Sequence, residues 1–138
     1  MGLDNGWIVK AKTIQGKQFL QDYFDDLKYE YSKFGEYEFG YMRKNWGIRT
    51  DIIRNIYGGE SNEGDYNFKL NQIEDFISLL CYYFDEKHWR DEADSIWDWQ
   101  YGIKQIANII CNLRRLEEAA EAKGITDEDL EMYFYDSY

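Results

Sequence analysis

The sequence contains no proline, a single histidine and only two cysteines among its 138 residues. No proline interrupts the helical spacing of the apolar residues, so helix is expected to far exceed strand. No apolar run approaches the roughly 20 residues of a membrane span, and the first residues lack the apolar core of a secretory signal. The sequence therefore predicts a soluble, cytoplasmic protein without membrane contact.

The scarcity of cysteine and histidine argues against a disulfide framework, a metal site and catalysis. Cys81 and Cys111 lie in apolar helical patterns, where buried reduced thiols are expected. His88 precedes Asp91 and Glu92 at helical spacing, but one histidine beside carboxylates is typical of a surface helix start. The glycines of YGGESNEG lack the Lys-Ser/Thr ending of a phosphate-binding loop. We expect no cofactor and no enzymatic activity.

Charge divides the chain into two unequal halves. Residues 1–57 carry nine Lys and Arg against eight Asp and Glu, a net charge of +1, whereas residues 58–138 carry seven against nineteen, a net charge of −12. The two values sum to the −11 of the whole chain. This asymmetry suggests different partners for the two halves, although a solvated acidic face explains it equally well.

The apolar spacing predicts several helices and one short strand. Residues 7–14 could form the strand, and residues 17–34 the first amphipathic helix. After the polar loop GGESNEGDYN, Asn71 is expected to cap a further helix. The buried stripe of that helix is expected to consist of Ile73, Phe76, Ile77, Leu80 and Phe84.

The longest predicted helix covers residues 91–123 and ends at Lys123 and Gly124. It carries apolar residues at alternating steps of three and four: Ile96, Trp99, Ile103, Ile106, Ile110 and Leu113. Such a seam packs either within one chain or between the two chains of a homodimer. Thr126 and Asp129 then resemble the start of a last, acidic helix.

The segment YMRKNWGIRTDIIRNIYGG combines a central glycine, Gly47, with apolar residues at fixed distances from it. These residues are Met42, Trp46, Ile48, Ile53 and Ile56. The pattern resembles the helix-turn-helix of the phage-repressor family, in which the glycine forms the turn and the apolar residues join two helices. With the flanking helices, the resemblance covers about residues 17–85.

The resemblance implies a recognition helix over about residues 49–57 that enters the major groove of double-stranded DNA. Arg and Asn side chains there are suited to bidentate base or phosphate contacts. Residues 41–59 as a whole have a net charge of +3, from Arg43, Lys44, Arg49 and Arg54 against Asp51. The DNA-binding residues would be Arg43, Lys44, Arg49, Thr50, Arg54 and Asn55.

The acidic half of the chain supports a second hypothesis, in which the protein binds another protein instead of DNA. Carboxylates on helices can imitate the phosphate spacing of DNA, because a helix rises about 1.5 Å per residue and the duplex carries one charge per about 1.7 Å. The protein would then be an inhibitor of a basic nucleic-acid-binding protein, of the kind that phages direct against host defences. Its binding residues would be Asp91, Glu92, Asp94, Asp98, Glu117, Glu118, Glu121, Asp127, Glu128, Asp129 and Glu131.

The expected fold is mainly α: a helix-turn-helix-containing helical domain at residues 1–86 and a long acidic C-terminal helical extension at residues 87–138. The extension would pack on the first domain or form a dimer seam. The expected function is DNA binding by a regulator of phage or mobile-element type, with the acidic protein-binding inhibitor as the alternative.

Overall fold

The computed structural model describes residues 3–26, 36–43, 45–59, 64–83 and 96–137. Strands and helices follow one another along these residues instead of helices alone. In chain order they are β1 (Asp4–Ala11), α1 (Ile14–Asp26), β2 (Glu36–Arg43), α2 (Trp46–Asn55), β3 (Gly64–Phe68), α3 (Ile73–Tyr82), α4 (Ile96–Ala122) and β4 (Leu130–Ser137). A single turn of 3-10 helix at Leu70–Gln72 leads into α3.

The four strands form one antiparallel sheet in the order β2-β1-β4-β3. Strands β1 and β4 are central neighbours, paired from Asp4 opposite Ser137 to Ala11 opposite Leu130. Segments from the two ends of the described chain therefore meet in the middle of the sheet. Strand β4 belongs to the predicted extension at residues 87–138, which therefore contributes to the sheet and is not purely helical.

The prediction of a mainly α, helix-turn-helix-containing domain is wrong, because this sheet organises the fold. The strand expected at residues 7–14 is present as β1, but it lies three residues earlier. In β2, aromatic residues alternate with glutamates in the sequence EYEFGYMR, a pattern that favours an extended chain over a helix. A bulge between β1 and β2 places Phe39 outside the regular pairing.

The helix predicted after α4 is also replaced by a strand. Thr126 and Asp129 were expected to start a helix, but they close a turn in which the Asp129 N–H donates to the Thr126 carbonyl oxygen at 2.9 Å. Strand β4 follows directly, with Leu130, Met132 and Phe134 buried and the intervening side chains partly exposed. This two-residue alternation is the signature of a strand with one buried face.

The helices cover one face of the sheet. The side chains of Trp7, Val9, Met132 and Phe134 point to that face and share one hydrophobic core with residues of all four helices. We call the opposite side the outer face and define it by the alternate residues of three strands: Asp4, Gly6, Ile8 and Lys10 of β1, Glu36, Glu38 and Tyr41 of β2, and Glu131, Tyr133 and Tyr135 of β4. None of these outer-face residues belongs to the core shared with the helices.

The apolar stripes predicted for the helices largely match the structure. Helix α1 begins at Ile14, and the preceding Thr13 hydroxyl accepts a hydrogen bond from the Gly16 N–H at 3.0 Å. The first helix was predicted over residues 17–34, and its part beyond residue 26 lies outside the described residues. The stripe of α3 is buried at its four described positions, Ile73, Phe76, Ile77 and Leu80. Phe84 lies outside the described residues, and α3 follows the 3-10 turn instead of a cap at Asn71.

The seam of α4 packs against the core of its own chain. Ile106 and Leu113 are fully buried, and Ile103 and Ile110 are partly buried against the same core. The side chains of Ile96 and Trp99 lie outside the described residues. Helix α4 ends as predicted before Gly124, which adopts the left-handed conformation (φ +67°) that glycine tolerates best.

The two cysteines lie at the surface of the protein. Cys81 and Cys111 are free thiols, but both are exposed, so the prediction that they are buried is wrong. In the described part of the chain, no helix has both the length and the apolar character needed to cross a membrane.

Candidate functional site

The segment that resembles a helix-turn-helix folds as a strand followed by one helix. Residues Tyr41–Arg43, which precede the expected glycine turn and were expected in the first helix of the pair, form the end of β2. Gly47 lies inside α2, one residue after its start, and not in a turn between helices. The apolar residues do converge, because Met42, Ile48 and Ile53 are all buried, but they join a strand to a helix.

Arg49, the first arginine of the expected recognition helix, is buried in the protein. Its Nε and Nη2 atoms donate to Oδ1 and Oδ2 of Asp136, both at 2.8 Å, and the side chain of Asp136 has no exposed area. The side-chain amide of Asn5 also donates to Oδ1 of Asp136, at 3.0 Å. The Arg49 guanidinium lies 5.4 Å from the ring centroid of Trp46, within the range of a cation–π contact. Arg49 therefore connects α2 to β4 and does not face a DNA groove.

The other described residues of the predicted DNA-binding set lie on the surface. Thr50, Arg54 and Asn55 are exposed on α2, and Arg43 is exposed at the end of β2 with its Nε 4.0 Å from Oδ1 of Asp4. Lys44 lies outside the described residues. A pocket of about 280 Å³ beside α2 brings three members of the set together, and its walls are formed by Arg49, Thr50, Ile53, Arg54, Gly58 and Gly59. Because Asp136 neutralises Arg49, Arg54 is the main source of positive charge in this pocket.

A second concave surface lies between α3 and the end of α4. This groove, of about 470 Å³, is lined by Leu70, Asn71, Glu74, Arg114, Glu117, Glu118, Glu121 and Ile125, and we call it the acidic groove. Arg114 donates to the carboxylates of both Glu74 and Glu117, with 2.9 Å between its Nη1 and Oε1 of Glu117. Four carboxylates and one guanidinium thus line the groove, which is left with a net negative charge.

The two carboxyl groups beside Arg114 are affected in opposite ways. Hydrogen bonds from Arg114 are the main cause that lowers the pKa of Glu74 below its ordinary value. Partial burial, followed by the neighbouring Glu74, raises the pKa of Glu117. Arg114 donates to both acids, so the opposite directions of the two shifts reflect the partial burial of Glu117 and the mutual interaction of the two carboxyl groups.

The other described acidic residues of the predicted protein-binding set, at positions 127–131, do not form one surface with the groove. Asp127 accepts a hydrogen bond from the Leu70 N–H at 2.8 Å, and Asp129 accepts one from the Thr13 hydroxyl at 2.7 Å, so both stabilise turns. Glu131 lies on the outer face, 3.5 Å from the ammonium group of Lys10. Glu128 is exposed. The predicted residues Asp91, Glu92 and Asp94, and the side chain of Asp98, lie outside the described residues.

The outer face carries a set of tyrosines that the sequence analysis did not identify. The hydroxyl of Tyr41 donates to Asp4 at 2.5 Å, that of Tyr133 to Glu36 at 2.8 Å, and that of Tyr135 to Glu38 at 3.4 Å. The alternation of tyrosine and glutamate within EYEFGYMR and LEMYFYDS was the signal that could have revealed them, since alternate residues of a strand share a face.

In the described part of the chain, no group of three or more His, Cys, Asp and Glu residues is arranged so that it could hold a metal ion. His88 lies outside that part. The expectation of a non-enzymatic protein stays a prediction.

Comparison with models of protein families, with curated proteins and with solved structures gives no match to this chain. The resemblance to phage repressors thus remains an observation on sequence spacing, and β2 replaces the first helix that it implies. The surfaces of the molecule are the remaining guide to its function.

Proposed function

We propose that this protein is a non-enzymatic acidic binding protein whose acidic groove receives lysine or arginine side chains of a basic, nucleic-acid-binding protein. The observation that carries the proposal is the excess of carboxylates over cations in a concave surface. Glu74, Glu117, Glu118 and Glu121 line the groove, and Arg114 is the only basic residue among the described residues of its lining.

The position of Glu118 and Glu121 favours contact with a partner. Both side chains are exposed, they lie three residues apart on α4, and no ion pair among the described residues engages either of them. Carboxylates at this spacing are neighbours on one helix face. A cationic side chain entering the groove would meet both of them, and the net charge of −11 would speed its approach at low salt.

Apolar atoms of the groove suit the same kind of side chain. Ile125 is 5% exposed, and Leu70 is partly buried against the hydrophobic core. Lysine and arginine carry an aliphatic stem below their charged group, and this stem packs favourably on apolar surface. The groove therefore offers contacts to both parts of a basic side chain.

DNA binding receives less support from the geometry. A duplex is held by cations arranged along its phosphates, whereas Arg49 is buried against Asp136 and Arg43 lies near Asp4. Thr50, Arg54 and Asn55 stay exposed on a single short helix without the preceding helix that positions a recognition helix in the major groove. We therefore favour the protein-binding alternative.

The experiment compares two variants with the same change in net charge. Glu118→Lys with Glu121→Lys reverses the groove, and Asp22→Lys with Asp25→Lys reverses two exposed carboxylates at the same spacing on α1. Binding of a fluorescent Lys/Arg-rich peptide is measured by anisotropy at low and moderate salt. We expect the groove variant to lose about tenfold or more in affinity and the α1 variant to lose much less.

Equal losses in the two variants would assign the binding to overall charge and reject the groove. Absence of any peptide binding at low salt would reject the proposed function itself. A gel-shift series with random duplex DNA completes the test, because retention that depends on Arg54 but not on Glu118 would restore the DNA-binding hypothesis.

A further inference from the structure

Asn5 and Gly6 form the one Asn-Gly pair of the sequence, and they lie in β1 between two neighbouring strands. An asparagine that precedes glycine is especially reactive towards deamidation. Glycine has no Cβ atom, so nothing hinders the approach of its backbone nitrogen to the asparagine side chain. In an unfolded chain, Asn5 is therefore expected to lose ammonia before any other asparagine of the protein.

Deamidation of this pair proceeds through a cyclic imide. The backbone nitrogen of Gly6 loses its proton to solvent and forms a bond to Cγ of Asn5. The Cγ–Nδ2 bond then breaks as solvent returns the proton, and ammonia leaves. Water opens the imide ring at one of its two carbonyl carbons, which yields either aspartate or isoaspartate at position 5. One water is consumed and one ammonia is released, without an oxidant or a reductant.

The backbone of β1 opposes ring closure. The Gly6 nitrogen reaches Cγ of Asn5 only when the chain rotates out of the extended conformation of a strand. Both residues are paired on the two sides of β1, with partners on β2 and on β4, so this rotation would break both ladders. The Tyr135 ring lies directly against the Gly6 backbone and leaves no room even for a Cβ atom.

The side chain of Asn5 is held as firmly as its backbone. Asn5 has no exposed area, and its Nδ2, the leaving group, donates to Oδ1 of Asp136 at 3.0 Å and to the Tyr135 carbonyl oxygen at 3.2 Å. Attack on Cγ would place negative charge on Oδ1 of Asn5, and among the described residues no donor reaches this oxygen. An oxyanion without a donor is strongly disfavoured in a buried site. The folded protein thus suppresses the reaction.

The products of deamidation do not fit the site that Asn5 occupies. Aspartate would replace the Nδ2 donor with an oxygen that faces Asp136, so two carboxylates would share the buried Arg49 guanidinium. Like charges in such contact cannot both be accommodated without a large penalty. Isoaspartate would add one methylene group to the backbone of β1 and shift its register with both neighbouring strands. Either product disrupts the junction of α2, β1 and β4.

We propose that Asn5 is a deamidation site gated by folding, stable while β1 lies in the sheet and reactive when β1 is released. The product chain no longer rebuilds the sheet, so an unfolding event that lasts long enough for ring closure becomes irreversible. The lifetime of the protein then depends on how often it unfolds. A partner that binds only the folded form would lengthen this lifetime through any surface, so the inference is independent of the acidic groove.

The first test follows the mass of the proteolytic peptide that contains Asn5, and the ammonia released, in mildly alkaline buffer with and without guanidinium chloride. In denaturant we expect Asn5 to react as fast as it does in a synthetic peptide of residues 1–12. In the folded protein the rate should be at least about tenfold lower, because the reaction requires opening of β1.

Two core variants outside the junction test the gate. Leu113→Ala removes a fully buried side chain of α4 and should accelerate deamidation in buffer by the factor by which it raises the unfolded fraction in denaturant titrations. Ile106→Val should accelerate it less. A Leu113→Ala protein that does not fold should react in buffer as fast as the denatured parent, and in guanidinium chloride all three chains should react equally.

A second test addresses the product. Asn5→Asp reproduces one product, and Asn108→Asp makes the same change at an exposed position of α4. We expect Asn5→Asp to unfold at a much lower denaturant concentration than the parent or not to fold, and Asn108→Asp to unfold close to the parent. Addition of Asp136→Asn to Asn5→Asp restores a single carboxylate and should recover part of the loss, because repulsion is removed.

The results that contradict the inference are distinct. Deamidation of the folded parent at the rate found in guanidinium chloride would overturn the gate, as would a larger unfolded fraction of Leu113→Ala without a faster reaction. Another asparagine that reacts first in denaturant would reject Asn5 as the site. An Asn5→Asp protein as stable as Asn108→Asp would show that the product refolds. None of these results depends on whether the acidic groove binds a basic peptide.

Discussion

Arg49 and Asp136 form a bidentate ion pair in the interior of the protein, with both N–O distances at 2.8 Å. The pair joins α2 to the central strand β4 across 87 positions of sequence. Asn5 of β1 donates to the same carboxylate, so three secondary-structure elements meet at one buried charge. Its role is to hold the helical layer on the sheet.

Removal of Arg49 should therefore affect stability. Arg49→Met leaves the carboxylate of Asp136 buried and unpaired, which typically costs about 3–5 kcal/mol of unfolding free energy. Arg54→Met removes an exposed arginine from the same helix and should change stability by no more than roughly 0.5 kcal/mol. Denaturant unfolding measures both. Combining Arg49→Met with Asp136→Leu should recover part of the loss, and an Arg49→Met protein as stable as the parent would contradict this reading of the ion pair.

Helical stripes could be predicted from the sequence because their signal is local. Ile73, Phe76, Ile77 and Leu80 recur with the helical period, and each is buried on α3. Gly124 ends α4 for the equally local reason that the chain there adopts a positive φ. Strand β4 was missed because its acidic residues suggested a helical surface, although Leu130, Met132 and Phe134 alternate with them at the period of a strand.

The candidate site was harder to predict because exposure depends on distant parts of the chain. Arg49 was expected to contact DNA, whereas its partner Asp136 lies on a strand that was not predicted. One local signal was available: Arg49 precedes Ile52 and Ile53 by three and four residues, so it shares their buried helix face. Prediction of the acidic groove would have required the packing of α3 against α4, which brings Glu74 next to Glu117, Glu118 and Glu121. The last three residues could be placed on one helix by their spacing alone, and their role in binding stays a prediction.

Gly6 should be intolerant of a side chain. Gly6→Ala places a Cβ 2.4 Å from Tyr135 and 3.0 Å from the Gly40 carbonyl oxygen, so the ring has to move. Overpacking of this kind costs about 1–3 kcal/mol of unfolding free energy. Gly59→Ala is the control, because its Cβ would meet only the Tyr57 carbonyl oxygen at 3.6 Å. If the ring is the obstacle, Tyr135→Ala should make Gly6→Ala less costly, and strictly additive losses would speak against this explanation.

Ile106 should behave as a core residue of a single chain. Its side chain has no exposed area, so Ile106→Lys buries an unpaired ammonium group and should prevent folding. Ile106→Val should cost only about 0.5–1.5 kcal/mol, and Asn108→Lys, at an exposed position of α4, should leave the fold intact. Circular dichroism and light scattering check the three proteins. A folded, monomeric Ile106→Lys protein from a dimeric parent would show instead that the seam lies between two chains.

The hydrogen bonds at Asp129 predict a defined effect of pH. The Thr13 hydroxyl is the main cause that lowers the pKa of Asp129 below its ordinary value of 3.8, followed by the Thr126 N–H. A carboxyl group with a lowered pKa in the folded state contributes stability that is present above 3.8 and is lost as the pH falls through the folded pKa. The contribution should therefore disappear on acidification.

Two substitutions of Thr13 isolate this effect. Thr13→Ser keeps the hydroxyl, and the pKa of Asp129 should stay low in a carboxyl NMR titration. Thr13→Val removes the hydroxyl, so the pKa should rise towards 3.8, and the loss of the helix cap should cost about 0.5–2 kcal/mol at every pH. The difference in unfolding free energy between the two variants should thus be larger near neutral pH than in acid. In the Asp129→Asn background only the pH-independent part should remain, and a difference that still varied with pH there would have to come from another group.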